Sequence, residues 1–220
     1  MGDELAQQRR ELPWVPMEKR YRLRTADGPK ALAELFDGRS QLLIYHFMFG
    51  PSYAAGCPVN SSIADSFDSV IPHLEAREVT LIAVSGAPVE ILLAYRERMG
   101  WNFEWASSYQ SDFNADLGFS SSLEQTREAI ELILDQLPPV VFRNAEVSGT
   151  DVYGYLTELF GFSALRLEDG TVYHTYSTTG RGVEFLMPYY AFLDRAPKGR
   201  DEDGNDWQLW IRRHDEYDGA

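Results

Sequence analysis

Residues 41–64, QLLIYHFMFGPSYAAGCPVNSSIA, contain the change of rhythm that decides the fold. The first nine, Gln41 to Phe49, are almost continuously apolar and rich in β-branched and aromatic residues. That is the pattern of a strand buried on both faces of an α/β sheet. Gly50 and Pro51 end it. After a short loop, Val59, Ile63, Phe67, Val70, Ile71 and Leu74 recur at four- and three-residue spacing, with Ser61, Ser62, Asp65 and Asp68 between them. This spacing predicts one amphipathic helix. Pro58 suits its first turn, where a missing N–H costs nothing. Cys57 then falls at or beside the N-cap.

The alternation repeats downstream. VTLIAVSG (79–86) reads as a second buried strand, and Pro88 opens a helix with Ile91, Leu92, Tyr95 and Met99 inward and Gly100 as its stop. Strand, helix, strand, helix implies parallel strands joined by right-handed crossovers. Ser121-x-x-Glu124 is a capping-box pattern, predicting a helix over 121–137 with Leu123, Ile130, Ile133, Leu134 and Leu137 on one face, stopped by Pro138-Pro139. A short helix over about 151–160, closed by Gly161, follows. SALRLEDGTVYHTYS (163–177) predicts a hairpin turning at Asp169-Gly170. A two-residue turn pairs Leu167 with Val172 and Leu165 with His174, and strand alternation keeps His174 and Tyr176 on one face. A last helix, about Val183 to Leu193, covers the hairpin. The tail, PKGRDEDGNDWQLWIRRHDEY, is expected to wrap the surface with its tryptophans as anchors.

With 220 residues, 44% of them hydrophobic, the chain can bury one well-packed core, and nothing forces two domains. Its 34 acidic against 20 basic residues give a formal charge of −14, which argues against nucleic acid or an anionic membrane as partner. The charged N-terminus has no apolar signal core, and no stretch approaches the ~18 apolar residues of a membrane span. The expected setting is reducing and cytoplasmic. One cysteine excludes an intramolecular disulfide and a cysteine-rich zinc site. No phosphate loop or nucleophile elbow is present, so no cofactor is expected.

A cysteine at a helix N-terminus meets unpaired N–H groups and the positive end of the helix dipole, which lower a thiol pKa from about 8.5 into the range ~3.5–7.5. Such a thiolate attacks disulfides, peroxides or electrophilic carbon. Cys57 lies between Gly56 and Pro58, off the apolar stripe of the helix, which favours reactive over structural use. Dithiol exchange needs a second thiol, and Asn60 stands where one would be. A one-thiol cycle resolved by a low-molecular-weight thiol or a partner protein remains open. Asn60 either donates a hydrogen bond to the sulfur or exposes its amide on the first turn.

Tyr53, Trp101, Trp105, Tyr109, Phe113 and Tyr176 are expected in or near the loops around Cys57, where they would suit a flat apolar ligand; ordinary packing is the alternative. His174 and Arg181 join them as candidate substrate-binding residues. Asp112 and Asn114 read as loop caps, or as polar groups facing the site. His46, His174 and Cys57 are the ligand types of a copper site, but hydrogen-bonded core histidines are the preferred reading and no metal is assigned.

Five segments, LPWVPMEKRY, LFDGRSQLLIYHFMFGPSYAAGCP, RMGWNFEWASSYQSDFNADLG, EDGTVYHTYSTTGRG and PKGRDEDGNDW, occur in that order. Together they resemble the bacterial family called domain of unknown function 899, predicted thioredoxin-like dithiol-disulfide oxidoreductases. The resemblance covers most of residues 10–217. It implies a thioredoxin-like fold in the peroxiredoxin style, an α/β protein with a central mixed sheet flanked by helices. On that frame the chain divides into an N-terminal arm (1–20), a divergent helical insert (about 120–162) and a tail (196–220). The family pattern is Gly-Cys-Pro-x-Cys; Gly56, Cys57 and Pro58 match it, and Asn60 replaces the second cysteine. The expected function is thiol–disulfide exchange or peroxide reduction by a single thiol, with a low-molecular-weight thiol or small molecule as partner and homo-oligomers allowed. The alternatives are a recruited cofactor-free enzyme acting on a small, aromatic metabolite and a non-catalytic binding module.

Overall fold

The apolar run at 41–49 becomes the middle strand of an eight-stranded mixed sheet in the computed structural model, which describes residues 2–204 and 206–217. The strands are β1 (Val15–Pro16), β2 (Arg22–Thr25), β3 (Gly28–Ala31), β4 (Gln41–His46), β5 (Val79–Ser85), β6 (Glu104–Ser107), β7 (Gly161–Glu168) and β8 (Thr171–Thr179). They lie in the order β1-β8-β7-β4-β5-β6-β2-β3. β4, β5 and β6 are parallel, as the crossover pattern predicts, and every other pairing is antiparallel. The helices are α1 (Gly2–Arg10), α2 (Pro58–Ala64), α3 (Phe67–Glu75), α4 (Val89–Arg98), α5 (Phe113–Asp116), α6 (Leu123–Ile130), α7 (Pro139–Val147), α8 (Val152–Tyr155) and α9 (Pro188–Leu193).

Side chains on a strand alternate between faces, and on β4 this sorts the molecule into two cores. Leu42 and Ile44 join Ile82 and Val84 on one face, while Tyr45 and Phe47 join Leu81 and Ala83 on the other. Cys57 belongs to the second core.

The expected long helix after Cys57 is two helices, α2 and α3. The Ser66 hydroxyl donates to the Ile63 carbonyl at 2.9 Å, taking the acceptor a continuing helix would offer to the next backbone N–H. Val70 is exposed, as is Ile91 on α4; Val89 is buried there instead. Helix 121–137 also differs. Its capping box is Ser122 with Gln125, one residue on, because the Ser121 N–H is spent on the Thr157 carbonyl. α6 ends at Ile130 and a 3₁₀ segment runs from Glu131 to Gln136. Leu123 and Ile133 of the expected apolar face are exposed. Pro138-Pro139 both stops this segment and starts α7, a helix that the sequence pattern did not separate. The helix expected over 151–160 is only the single turn α8, because Leu159 instead pairs its N–H with the Phe119 carbonyl. The helix expected over 183–193 breaks at Met187 into a 3₁₀ turn and α9, where Pro188 supplies a new first turn.

The hairpin has the expected register, Leu167 opposite Val172 and Leu165 opposite His174. One residue further it slips: Ala164 pairs with Tyr176, leaving Thr175 as a bulge. His174 and Tyr176 therefore point to opposite faces, correcting the expectation that they share one. The tail is anchored by Ile211 and Arg213, both buried, while Trp207 and Trp210 stay partly exposed.

Candidate active site

Cys57 is the N-cap of α2, directly followed by Pro58 in the first turn, and it is 1% exposed. Two side-chain donors converge on its sulfur. Asn60 Nδ2 donates at 3.2 Å and the Tyr155 hydroxyl at 3.1 Å. The orientation of the Asn60 amide follows from its other end: Oδ1 accepts from the Tyr45 hydroxyl at 2.9 Å and from the Met48 N–H at 3.1 Å, so Nδ2 must face the sulfur. Of the two roles open to Asn60, the donor role is the one the fold gives it. Two donors on one sulfur complement the anionic form of a nucleophile.

Behind Tyr155 stands a directed chain. The Arg143 guanidinium donates to Asn144 Oδ1 at 2.9 Å, the Asn144 side chain lies beside the Tyr155 hydroxyl and counters the rise of its pKa, and Tyr155 donates to Cys57. Burial, then the nearby sulfur, push the Tyr155 hydroxyl well above the ordinary phenol pKa, which keeps it a donor. Tyr53 stacks on Tyr155 with ring centroids 5.6 Å apart and donates to its carbonyl. The segment 120–162 thus contributes Arg143, Asn144 and Tyr155, and also Ser148, whose carbonyl accepts from Ala54 and Ala55 in the Cys57 loop.

A second clamp comes from the tail. Arg213, 2% exposed, donates twice to the Gly56 carbonyl, at 3.0 and 2.7 Å, and once each to the Val147 carbonyl, the Tyr95 hydroxyl and Glu216. Tyr95 is also hydrogen-bonded to Ser61, which donates to the Cys57 carbonyl. At Gly56 a β-carbon would lie 2.7 Å from the Phe47 ring, so only glycine lets the loop pass.

Glu158 is a further titratable group of this edge. It is buried in the loops after β4 and β5, where a β-carbon on Gly86 would be 2.5 Å from its Oε1 and one on Gly50 would be 3.1 Å from its Cγ. Burial pushes its carboxyl up to about 8, and the Asn114 side chain beside it lowers it slightly. Asn114 in turn faces His46 Nδ1 at 3.1 Å; His46 Nε2 meets Ser163 at 2.8 Å, Ser163 meets Ser177 at 2.7 Å, and Ser177 meets His174 at 2.6 Å. Burial drops His46 to about 3, so its ring is neutral and lies stacked on Phe119 at 3.8 Å. His46 is on the opposite sheet face from Cys57, so the His46–His174–Cys57 set does not converge. Among the described residues no group of three or more His, Cys, Asp or Glu could hold a metal.

The expected aromatic cleft is dispersed. Tyr53 reaches the site through Tyr155. Trp101 and Trp105 pack with Phe47 and Tyr95 inside the Cys57-side core, their indole N–H groups held by Asp65 and Ser85. Phe113 is on the other face, against Tyr21 and His46, and Tyr109 is exposed. Tyr176, turned by the bulge, lines a cavity under α1; Arg181 is exposed and pairs with Glu184 at 3.1 Å. Asp112 caps nothing with its side chain and pairs with Lys19 at 2.7 Å, whereas Asn114 belongs to the buried network. Tyr155, Arg143, Glu158 and Arg213 escaped the sequence reading, because all come from segments whose docking on the sheet has no local signature.

A mixed sheet flanked by helices, with a cysteine capping the helix after a central parallel strand, defines a thioredoxin-like protein. The chain belongs to the family described as bacterial protein of unknown function (DUF899), which matches residues 1–217. Among solved structures it is similar to the peroxidoxin BcpB of Mycobacterium tuberculosis, with a TM-score of 0.50 and 11% identity over 80% of this chain and 93% of that one. It is also similar to the bacterioferritin comigratory protein of Xanthomonas campestris (TM-score 0.42, 16% identity, 78% and 90% covered). A third is the mitochondrial 2-Cys peroxiredoxin of Plasmodium falciparum (TM-score 0.41, 15% identity, 86% and 97% covered). At these identities the likeness is one of fold. No curated protein matches the sequence. Among the described residues no helix is long and apolar enough to cross a membrane.

Proposed function

We propose that Cys57 is the single reducing thiol of a small-hydroperoxide reductase regenerated by an external low-molecular-weight thiol. The convergence of Asn60 Nδ2 and the Tyr155 hydroxyl on Cys57 Sγ carries this reading. The peroxidoxin fold of one structural neighbour is in keeping with it. A cysteine only 1% exposed favours a small peroxide over a protein disulfide, which would need far more of the loop uncovered.

In the first step the Cys57 thiolate attacks the peroxide oxygen. The S–O bond forms, the O–O bond breaks, and the leaving alkoxide takes a proton to become alcohol, or water from hydrogen peroxide. The Cys57 sulfenic acid then condenses with one external thiol, losing water, and a second external thiol reduces the mixed disulfide. Two thiols lose two electrons in all and the peroxide gains them. The external thiol is required because the chain has one cysteine.

The test is thiol-dependent consumption of hydrogen peroxide, with the sulfenic acid trapped and weighed by intact mass. Cys57→Ser is expected to abolish both signals. Activity surviving in Cys57→Ser, or a wild-type sulfur that stays unoxidised in millimolar peroxide, would sink the proposal.

A further inference from the structure

At the opposite end of β4 from Cys57, a cavity of about 460 Å³ lies between α1 and the sheet face formed by β4, β7 and β8. The protein carries a formal charge of −14, yet three arginines, Arg9, Arg10 and Arg166, line this cavity and, among the described residues, no carboxylate does. Their donors are largely unspent. Arg10 has no side-chain partner among the described residues, and Arg9 has only the Tyr176 ring, 5.9 Å from its guanidinium carbon. Arg166 gives one nitrogen to Ser40 at 3.0 Å and reaches Glu168 only at 4.0 Å, while its Nε is buried with no acceptor among the described residues. Trp14 and Tyr176 supply flat walls, and Leu43 and Ala164 supply apolar surface.

A buried N–H without an acceptor costs about 1–3 kcal/mol in general, and arginines in an acidic protein ordinarily find carboxylates. Here three arginines gather around one cavity, and among the described residues only Ser40 and the distant Glu168 meet any of their donors. The complement of such a lining is an acceptor-only group, and the guanidinium fork matches a carboxylate in particular. The rings and aliphatic side chains beside it match a flat apolar body, and the volume lies within the range of small-molecule sites.

We infer that this cavity is a binding site for a small aromatic carboxylate, held by Arg9, Arg10 and Arg166 and stacked between Trp14 and Tyr176. The β-bulge at Thr175 is what makes it. Without that extra residue Tyr176 would face the other core, with His174, and the cavity would lose an aromatic wall. The site is separate from the thiol and does not depend on the proposed peroxide chemistry.

The experiment is calorimetric titration of the full chain with 2-naphthoate, with the neutral 2-naphthylmethanol and with inorganic phosphate. 2-Naphthoate is expected to bind. Arg166→Met and Arg10→Met should each weaken it about tenfold, the equivalent of one charge-assisted hydrogen bond. The neutral alcohol should bind at least about tenfold more weakly, and phosphate should compete with naphthoate but bind less tightly. Trp14→Phe should change the fluorescence response to naphthoate, and Cys57→Ser should leave affinity unchanged. Absence of naphthoate binding up to about 10 mM, or equal binding by wild type and Arg10→Met, would overturn the assignment. Arg10 is exposed on α1, so its variant keeps the test decisive even if Arg166→Met does not fold. Phosphate binding as tightly as naphthoate would overturn the aromatic part of it.

Discussion

Tyr45 and His46 are consecutive residues of one strand, and each opens into a different polar cluster. Tyr45 faces Asn60 and, through it, the Cys57 sulfur; His46 faces Asn114, Ser163 and, through Ser177, His174. Both clusters are buried and both are chains of hydrogen bonds. They differ in where they end. The Tyr45 side terminates on a polarisable sulfur that accepts from two donors. The His46 side terminates on a half-buried imidazole at one end and a largely protonated carboxyl at the other, so its groups mainly satisfy one another. A buried network becomes a candidate active site when its hydrogen bonds point at a nucleophile, and a structural device when they close on themselves.

The largest expected effect separates the two directly. Tyr155→Phe or Asn60→Ala removes one donor from sulfur and should slow Cys57 oxidation by peroxide about a hundredfold, by analogy with loss of one anion-stabilising donor. His46→Leu, one residue from Tyr45, should leave that rate within about twofold while lowering stability. Equal rate losses on both sides, followed by stopped-flow oxidation, would break the distinction.

Next in size is a packing effect on the His46 side. A β-carbon at Gly161 would stand 1.9 Å from the Phe119 ring that stacks on His46. Gly161→Ala should destabilise the fold by about 1–3 kcal/mol in urea unfolding, with the oxidation rate little changed.

The pH dependence of stability sharpens the contrast. His46 is held at about 3 against an ordinary 6.5, so between those values the unfolded chain binds the extra proton and stability is lost as pH falls. Glu158 is held at about 8 against an ordinary 4.5, so the folded chain keeps a proton that the unfolded one releases, and stability is lost as pH rises through that window. From these two groups alone the slopes oppose each other between 4.5 and 6.5 and leave a plateau there. Glu158→Gln should remove the decline above 6.5, a relative gain of up to about 2 kcal/mol at pH 8. An unchanged alkaline limb in denaturation at a series of pH values would refute the assignment.

The smallest effect is at the far end of the chain. Ser177→Ala cuts the link between Ser163 and His174, and should cost about 0.5–1.5 kcal/mol without touching peroxide chemistry.

What was legible in the sequence follows from interactions between residues close along the chain. The apolar run of β4, the proline-started helix behind Cys57 and the Asp169-Gly170 turn all report local periodicity or local backbone restriction, and the family resemblance rests on such segments. The failures also have physical causes. The bulge at Thr175 inverts one face of β8 against simple alternation. The Ser121–Thr157 hydrogen bond moves a helix cap by one residue. Serine back-bonding at Ser66 divides a helix that periodicity alone would continue.

The sequence by itself determined that one thiol sits at the start of a helix after a buried strand, and that no second thiol in this chain can resolve it. Which groups meet that thiol was decided only by tertiary structure. Asn60 is three residues away and could be anticipated as a donor; Tyr155 is 98 residues away and Arg213 another 58 beyond it. Contacts across such separations depend on how α7, α8 and the tail pack together. Packing depends on the shape of the whole core, for which no short stretch of sequence carries a code.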